Sequence, residues 1–119
     1  DLKCIDSAKH QRYCGRGNEQ ILSNLSRLCQ CARVIVRMPI IPGINDTDED
    51  LRLAGAYLSE RKEHIEAVHC LPYHNMGLSK YEALHMDYQL PDVALPKSEA
   101  MNRIKTFLES YGLHVQIGG

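Results

Sequence analysis

The segment from Val34 to Asp46 constrains the fold more than any other part of the chain. It begins with an almost unbroken run of apolar, largely β-branched residues, which predicts a strand buried on both faces, as in a parallel sheet covered by helices. Pro39, Pro42 and Gly43 are then predicted to end the strand, because proline cannot donate to a sheet ladder and glycine permits a sharp turn. Asn45–Thr47 follow as candidate N-caps of a helix. The segment therefore predicts a strand, a tight turn and a helix start.

Arg37 interrupts this apolar run with a permanent positive charge. A guanidinium inside a buried strand needs a compensating anion, dipole or wet cleft, since its desolvation is costly. Arg37 also lies toward the carboxyl end of the predicted strand, where ligands bind in α/β sheets and barrels. These two arguments make Arg37 the strongest single candidate for a binding residue.

The rest of the chain alternates between helical and extended patterns, which favours right-handed βαβ units and a parallel sheet. Residues 75–97 show no sustained period, which is typical of a functional or disordered loop. The predicted elements are helices over residues 8–13, from 19, over 46–61 and from 98, and strands over 34–40, 65–71 and 113–117.

Composition restricts the class of protein. The chain has 119 residues, enough for one domain but short for a complete barrel, which needs about 200 or more. A net charge of −1 gives no sign of a nucleic-acid partner, and no apolar run approaches the ~18 residues of a transmembrane helix.

The 5 cysteines are irregularly spaced, which argues against a disulfide framework and for a reducing, cytoplasmic compartment. A start at Asp1 suggests a piece of a longer protein.

Two further polar groups fall where strands are predicted to end. Asp1 and Lys3 open the chain, and His74 follows Pro72 by two residues. Neighbouring parallel strands would bring these groups and Arg37 to one rim of the sheet. Taken singly, Asp1 and Lys3 are typical of solvated loop charges, and a lone histidine such as His74 more often caps a loop. The other histidines share no ligand spacing and are interpreted as structural or solvent-facing.

Several motifs in order resemble one protein family. They are D-L-K at Asp1–Lys3, Gly15 with Asn18, R-M-P-I-I-P-G-I-N-D at Arg37–Asp46, L-P-Y-H at Leu71–His74, G-x-S-K-Y-E-A-L at Gly77–Leu84 and the Y-G-L-H-V-Q-I terminus. Across essentially the whole chain, this series resembles the carboxy-terminal half of glycyl-radical-enzyme activating enzymes. These are enzymes of the pyruvate formate-lyase activating type, within the radical S-adenosylmethionine (SAM) superfamily.

The resemblance implies an α/β fold that is the parallel-sheet half of a partial (β/α)6 radical SAM barrel. Residues 1–119 would form the carboxy-terminal part of that truncated domain, beginning with the end of its fourth strand. By resemblance, Asp1, Lys3, Arg37 and His74 bind SAM, and Asp1 also lies near a monovalent cation. The P-G-x-N-D loop and the segment 77–84 would face the glycyl loop of the partner enzyme.

The same resemblance implies an activity for the whole parent protein. In the family, a [4Fe–4S] cluster held by C-x-x-x-C-x-x-C passes an electron to SAM. The resulting 5′-deoxyadenosyl radical abstracts hydrogen from a glycine of a partner such as pyruvate formate-lyase. That cysteine motif is absent from this sequence. We therefore expect the chain alone to be inactive, with no catalytic residue of its own and with an open sheet edge suited to a dimer contact.

Two other interpretations stay open at this point. The chain would also suit a non-catalytic α/β module that binds a small anion or a protein loop. Within the superfamily, a radical SAM enzyme that acts on a small molecule is the second alternative.

Overall fold

The computed structural model describes residues 1–72 and 96–119. In these ranges the three strands form one parallel sheet in the order β1-β2-β3, which confirms the predicted α/β class and parallel sheet. The elements are α1 (Ser7–Cys14), α2 (Glu19–Cys31), β1 (Val34–Ile40), α3 (Asp48–Ser59), a 3₁₀ helix (Lys62–His64), β2 (Ile65–Pro72), α4 (Ser98–Glu109) and β3 (Val115–Ile117).

Short polar side chains mark where two of the helices begin. Thr47 caps α3, because its Oγ1 accepts a hydrogen bond from the Asp50 backbone N–H at 3.1 Å and donates to the Asp50 carboxylate at 2.6 Å. Asp6 caps α1, since its carboxylate accepts from the backbone N–H of Lys9 at 3.0 Å. Within the described ranges, none of the helices has the length and apolar character needed to cross a membrane.

The core lies between one face of the sheet and the helices. On that face Val36, Val68 and Val115 are in register across the three strands and are only 4%, 0% and 3% exposed. Burial of these side chains and their helical partners supplies the main stabilisation of the fold. The helical partners are Leu25, Cys29, Leu51, Ala54, Leu58, Met101, Ile104 and Leu108.

The opposite face of β1 is open at Ile35 and Arg37 and buried at Pro39, so the prediction of a strand buried on both faces is wrong for most of its length. Ile35 is 47% exposed and the Arg37 side chain is 57% exposed, whereas Val36, Met38 and Ile40 are buried. The physical reason is that the helices of the described ranges pack against the face that carries Val36, Met38 and Ile40. Because Ile35 is as apolar as the buried residues of the strand, the sequence here lacks the alternation of apolar and polar residues that is typical of a strand buried on one face.

The first residues of the chain run beside the free edge of β1. The backbone N–H of Leu2 donates to the carbonyl of Arg37 at 2.8 Å, and the Leu2 side chain is buried. Among the described residues, this is the one backbone hydrogen bond made to that edge. The start of the chain therefore lies next to β1, where the end of a preceding strand was expected, and the rest of the edge is open in the described part of the chain.

A pair of substitutions in β1 tests the one-sided burial. We expect Ile40→Ala to lower the free energy of unfolding by about 2–5 kcal/mol, because Ile40 is 0% exposed and its truncation leaves a cavity. The same change at Ile35, on the open face, should cost about 1 kcal/mol or less. Urea denaturation followed by circular dichroism measures both values. Equal losses would contradict a strand that is buried on one face.

Candidate functional site

The open face of the sheet carries an ion pair between Asp1 and Arg37 at its β1 side; together with Lys3, two residues after Asp1 in the chain, these side chains are called the charged cluster. Asp1 Oδ1 lies 3.8 Å from Arg37 Nε, and the two side chains are 33% and 57% exposed. The two groups form an ion pair, but the distance between these two atoms is too long for a hydrogen bond. None of the side-chain hydrogen bonds between residues of the described ranges engages the guanidinium.

The second cation of this charged cluster, Lys3, also lies close to Asp1. Burial, followed by the positive charges of Lys3 and Arg37, lowers the pKa of the Asp1 amino group. The side chains of the cluster thus contribute two positive charges and one negative charge. Their balance is positive, which favours an anionic group such as a carboxylate or phosphate.

Asn45 fixes the backbone that carries this cluster. The residue is 4% exposed, and its Nδ2 donates to the carbonyls of Lys3 at 2.9 Å and Pro39 at 2.6 Å. Its Oδ1 accepts from the backbone N–H of Ile41 at 2.8 Å. One buried amide therefore joins the start of the chain to the end of β1. Sequence analysis predicted Asn45 to be a candidate helix cap and a member of the P-G-x-N-D loop. It missed the anchoring role, because the partners of Asn45 are 4 to 42 residues away and meet only in the folded chain.

Asn18 supports the same segment from the other end. It is 2% exposed, and its Nδ2 donates to the carbonyls of Cys4 at 3.0 Å and Ile5 at 2.6 Å. The sequence motif included Asn18 without assigning it a task. In the structure it is a positioning residue that anchors the backbone following Lys3.

Two residues beside Arg37 were not selected from the sequence as site residues. Strand pairing places His69 in register with Arg37, and Gln116 in register with His69. His69 is half-exposed and Gln116 is exposed. No spacing signal marks either one, since only the register of the sheet places them together. His74 lies outside the described residues.

No group of three or more His, Cys, Asp or Glu side chains is arranged to hold a metal ion in the described part of the chain. The structure therefore gives no support to a cation at Asp1.

All five cysteines are free. Burial raises the pKa of Cys4 to about 12, with a smaller effect from neighbouring Cys14, and raises the pKa of Cys70 to about 11. Only Cys31 is exposed. Buried thiols of this kind are poor metal ligands, because the ligand is the thiolate.

The role assigned to Asn45 can be tested against a surface asparagine. We expect Asn45→Ala to lower the free energy of unfolding by about 2–4 kcal/mol, since it removes three hydrogen bonds and leaves buried backbone groups without partners. Asn24→Ala, an exposed position in α2, should change it by about 0.5 kcal/mol or less. Urea denaturation compares the two, and a small effect at Asn45 would rule out the anchoring role.

Comparison with known proteins identifies relatives of the chain. No protein-family model matches it. The trans-4-hydroxy-L-proline dehydratase activating enzyme of Clostridioides difficile is 34% identical over 100% of this chain and 40% of its own length. The pyruvate formate-lyase 1-activating enzyme of Escherichia coli (strain K12) is 33% identical over 94% of this chain and 46% of its own length. The chain thus spans less than half the length of these curated relatives.

Comparison with solved structures also finds an activating enzyme of this kind. A domain of the pyruvate-formate lyase-activating enzyme from Bacteroides vulgatus matches 100% of this chain and 65% of its own with a TM-score of 0.80 and 30% identity. A radical SAM methyltransferase from Sphaerobacter thermophilus matches 98% of this chain and 31% of its own with a TM-score of 0.65; at 17% identity it supports the fold alone. In sequence and fold, the chain is similar over its whole length to one part of the glycyl-radical-enzyme activating enzymes.

Proposed function

We propose that the chain is the carboxy-terminal part of a radical SAM activating enzyme that generates a glycyl radical on a partner enzyme of the pyruvate formate-lyase kind. The observation that carries this proposal is the similarity to such activating enzymes over the full chain. A second support is the charged cluster on the sheet face that the helices leave open. In this proposal, residues 1–119 form the truncated half of a barrel domain, and the ligands of the [4Fe–4S] cluster lie outside them.

The charged cluster fits the amino-acid end of SAM. The methionine part of SAM carries one carboxylate and one ammonium group. Arg37, whose N–H groups make no hydrogen bond to other described residues, and Lys3 suit the carboxylate, whereas Asp1 suits the ammonium group. His74 completes the proposed set by resemblance. When bound, SAM and the [4Fe–4S] cluster supply the radical chemistry.

The chain's own contribution is to orient the cofactor. Asn45 and Asn18 fix the backbone on either side of Lys3, and hydrogen bonding within the sheet fixes Arg37. Because the backbone that carries these charges is already ordered, less conformational entropy is lost when the ligand binds. None of these residues donates or accepts a reacting atom in the proposal, so the chain has positioning residues and no catalytic residue.

The turn after β1 is the proposed approach of the partner's glycyl loop, together with the segment 77–84. Gly43 has φ +80°, a conformation that glycine adopts without strain, and its N–H donates to Asp46 Oδ1 at 2.8 Å. The turn is thereby held in one shape at the carboxyl end of β1. A preformed turn of this kind suits recognition of a protein loop.

Removal of the Arg37 charge tests the proposed SAM site. In the intact activating enzyme with its cluster assembled anaerobically, we expect Arg37→Ala to weaken SAM binding by about 10- to 100-fold, the loss typical of a charged hydrogen-bonding partner. Arg52→Ala is the matched control, because Arg52 is exposed and pairs with Glu49. Equilibrium dialysis measures both affinities. Unchanged affinity in the Arg37 variant would remove this residue from the site.

Cluster assembly tests the proposal that this chain does not hold the iron. After anaerobic incubation with iron and sulfide, we expect the chain alone to show no stoichiometric iron-dependent absorbance, because its buried thiols have raised pKa values and form no metal-binding group in the described residues. Cys31→Ser should give the same result. A stable cluster on this chain would show that its cysteines are ligands after all.

A further inference from the structure

Three side chains form a row across the open face of the sheet. Arg37 of β1, His69 of β2 and Gln116 of β3 are successive register partners, and this set is called the donor row here. In parallel strands, residues in register project from the same face, and neighbouring strands are about 4.8 Å apart, so the row extends across about 10 Å. Each member carries an N–H group able to donate a hydrogen bond.

Apolar side chains border the donor row on both sides. Ile35 and Ala67 form the preceding register pair, and Pro39 and Leu71 form the following one. A polar strip between apolar rows binds a charged group more strongly than an equally polar surface in open water, because the local dielectric constant is lower. The arrangement suits a ligand whose charged end lies next to apolar atoms.

His69 differs from the chain's structural histidine. His10 is 3% exposed, and its Nδ1 lies 2.6 Å from the carbonyl oxygen of Arg16. His69 is half-exposed, and none of the hydrogen bonds found among the described residues engages its side chain. The core contact of Nδ1 accounts for one side of the His10 ring, whose Nε2 is buried without a partner among the described residues, whereas His69 is half-exposed in register with Arg37.

We propose that His69 is a further ligand-binding residue, whose imidazole N–H binds, together with the Arg37 guanidinium, the carboxylate of the methionine part of SAM. This rests on the proposed function and extends its site to β2. Two donors on strands about 5 Å apart reach one carboxylate, since each hydrogen bond spans about 2.8 Å. Gln116 extends the donor row for a neighbouring polar group of the same ligand.

Binding of SAM to the intact, cluster-loaded protein tests this assignment. By equilibrium dialysis, we expect His69→Ala to raise the Kd for SAM about tenfold, the usual loss for a hydrogen bond to a charged group. His69→Gln, which keeps an N–H donor, should recover part of the affinity. His64→Ala is the matched control, because His64 is exposed in the 3₁₀ helix and lies outside the donor row. It should bind SAM like the wild-type protein.

A ligand that lacks the carboxylate distinguishes a contact of His69 with that group from a general effect of the substitution on SAM binding. Decarboxylated SAM should bind wild-type protein and His69→Ala equally, since the group that His69 contacts is missing. An unchanged Kd for SAM in His69→Ala, or an equal loss for SAM and its decarboxylated form, would overturn the assignment. A wild-type protein with no affinity for SAM would instead overturn the proposed function itself, so the two failures are distinguishable.

Discussion

Val36, Val68 and Val115 are in register across the sheet and pack against the helices. Their burial decides on which face of the sheet all the remaining strand side chains lie. Because successive side chains of a strand project to opposite faces, burial of these valines places Arg37 and His69 on the open face. A slip of one residue would bury the guanidinium and expose the valines. The desolvation cost of a buried charge therefore adds to the hydrophobic effect in selecting one register, and that register assembles the site.

The bounds of β1 were predictable because they depend on local signals: Val34–Ile40 ends just before Pro42 and Gly43, as predicted, although Pro39, which was also expected to end it, lies inside the strand. The predicted strand over residues 113–117 was too long, since β3 covers only Val115–Ile117. Burial of this strand was not predictable from the run itself, since Ile35 is apolar yet exposed. The apposition of Asp1 and Arg37 followed from parallel strands in chain order. The position of His69 beside Arg37 did not, because 32 residues separate them and a lone histidine carries no spacing signal.

Buried amides connect the fold to the site. Asn45 and Asn18 make five hydrogen bonds to backbone groups, and four of these are donated to carbonyls. A buried backbone carbonyl without a partner is costly, so each amide both stabilises the chain and restricts where Lys3 lies. Stability and positioning therefore depend on the same contacts here. The sequence motifs included both residues but gave neither an anchoring role, because motif comparison looks for groups that touch a ligand.

The free edge of β1 explains a groove in the surface. A groove of about 310 Å³ lies beside this edge and is lined mainly by apolar side chains, among them Leu25, Leu28 and Ile35. Leu28 and Ile35 are 49% and 47% exposed. In the proposed barrel a neighbouring strand pairs with this edge, and its side chains fill such a groove. The groove then follows from the barrel architecture. Asp1 lies at its margin, and the ion pair of Asp1 with Arg37 at the same edge is the feature that calls for a ligand.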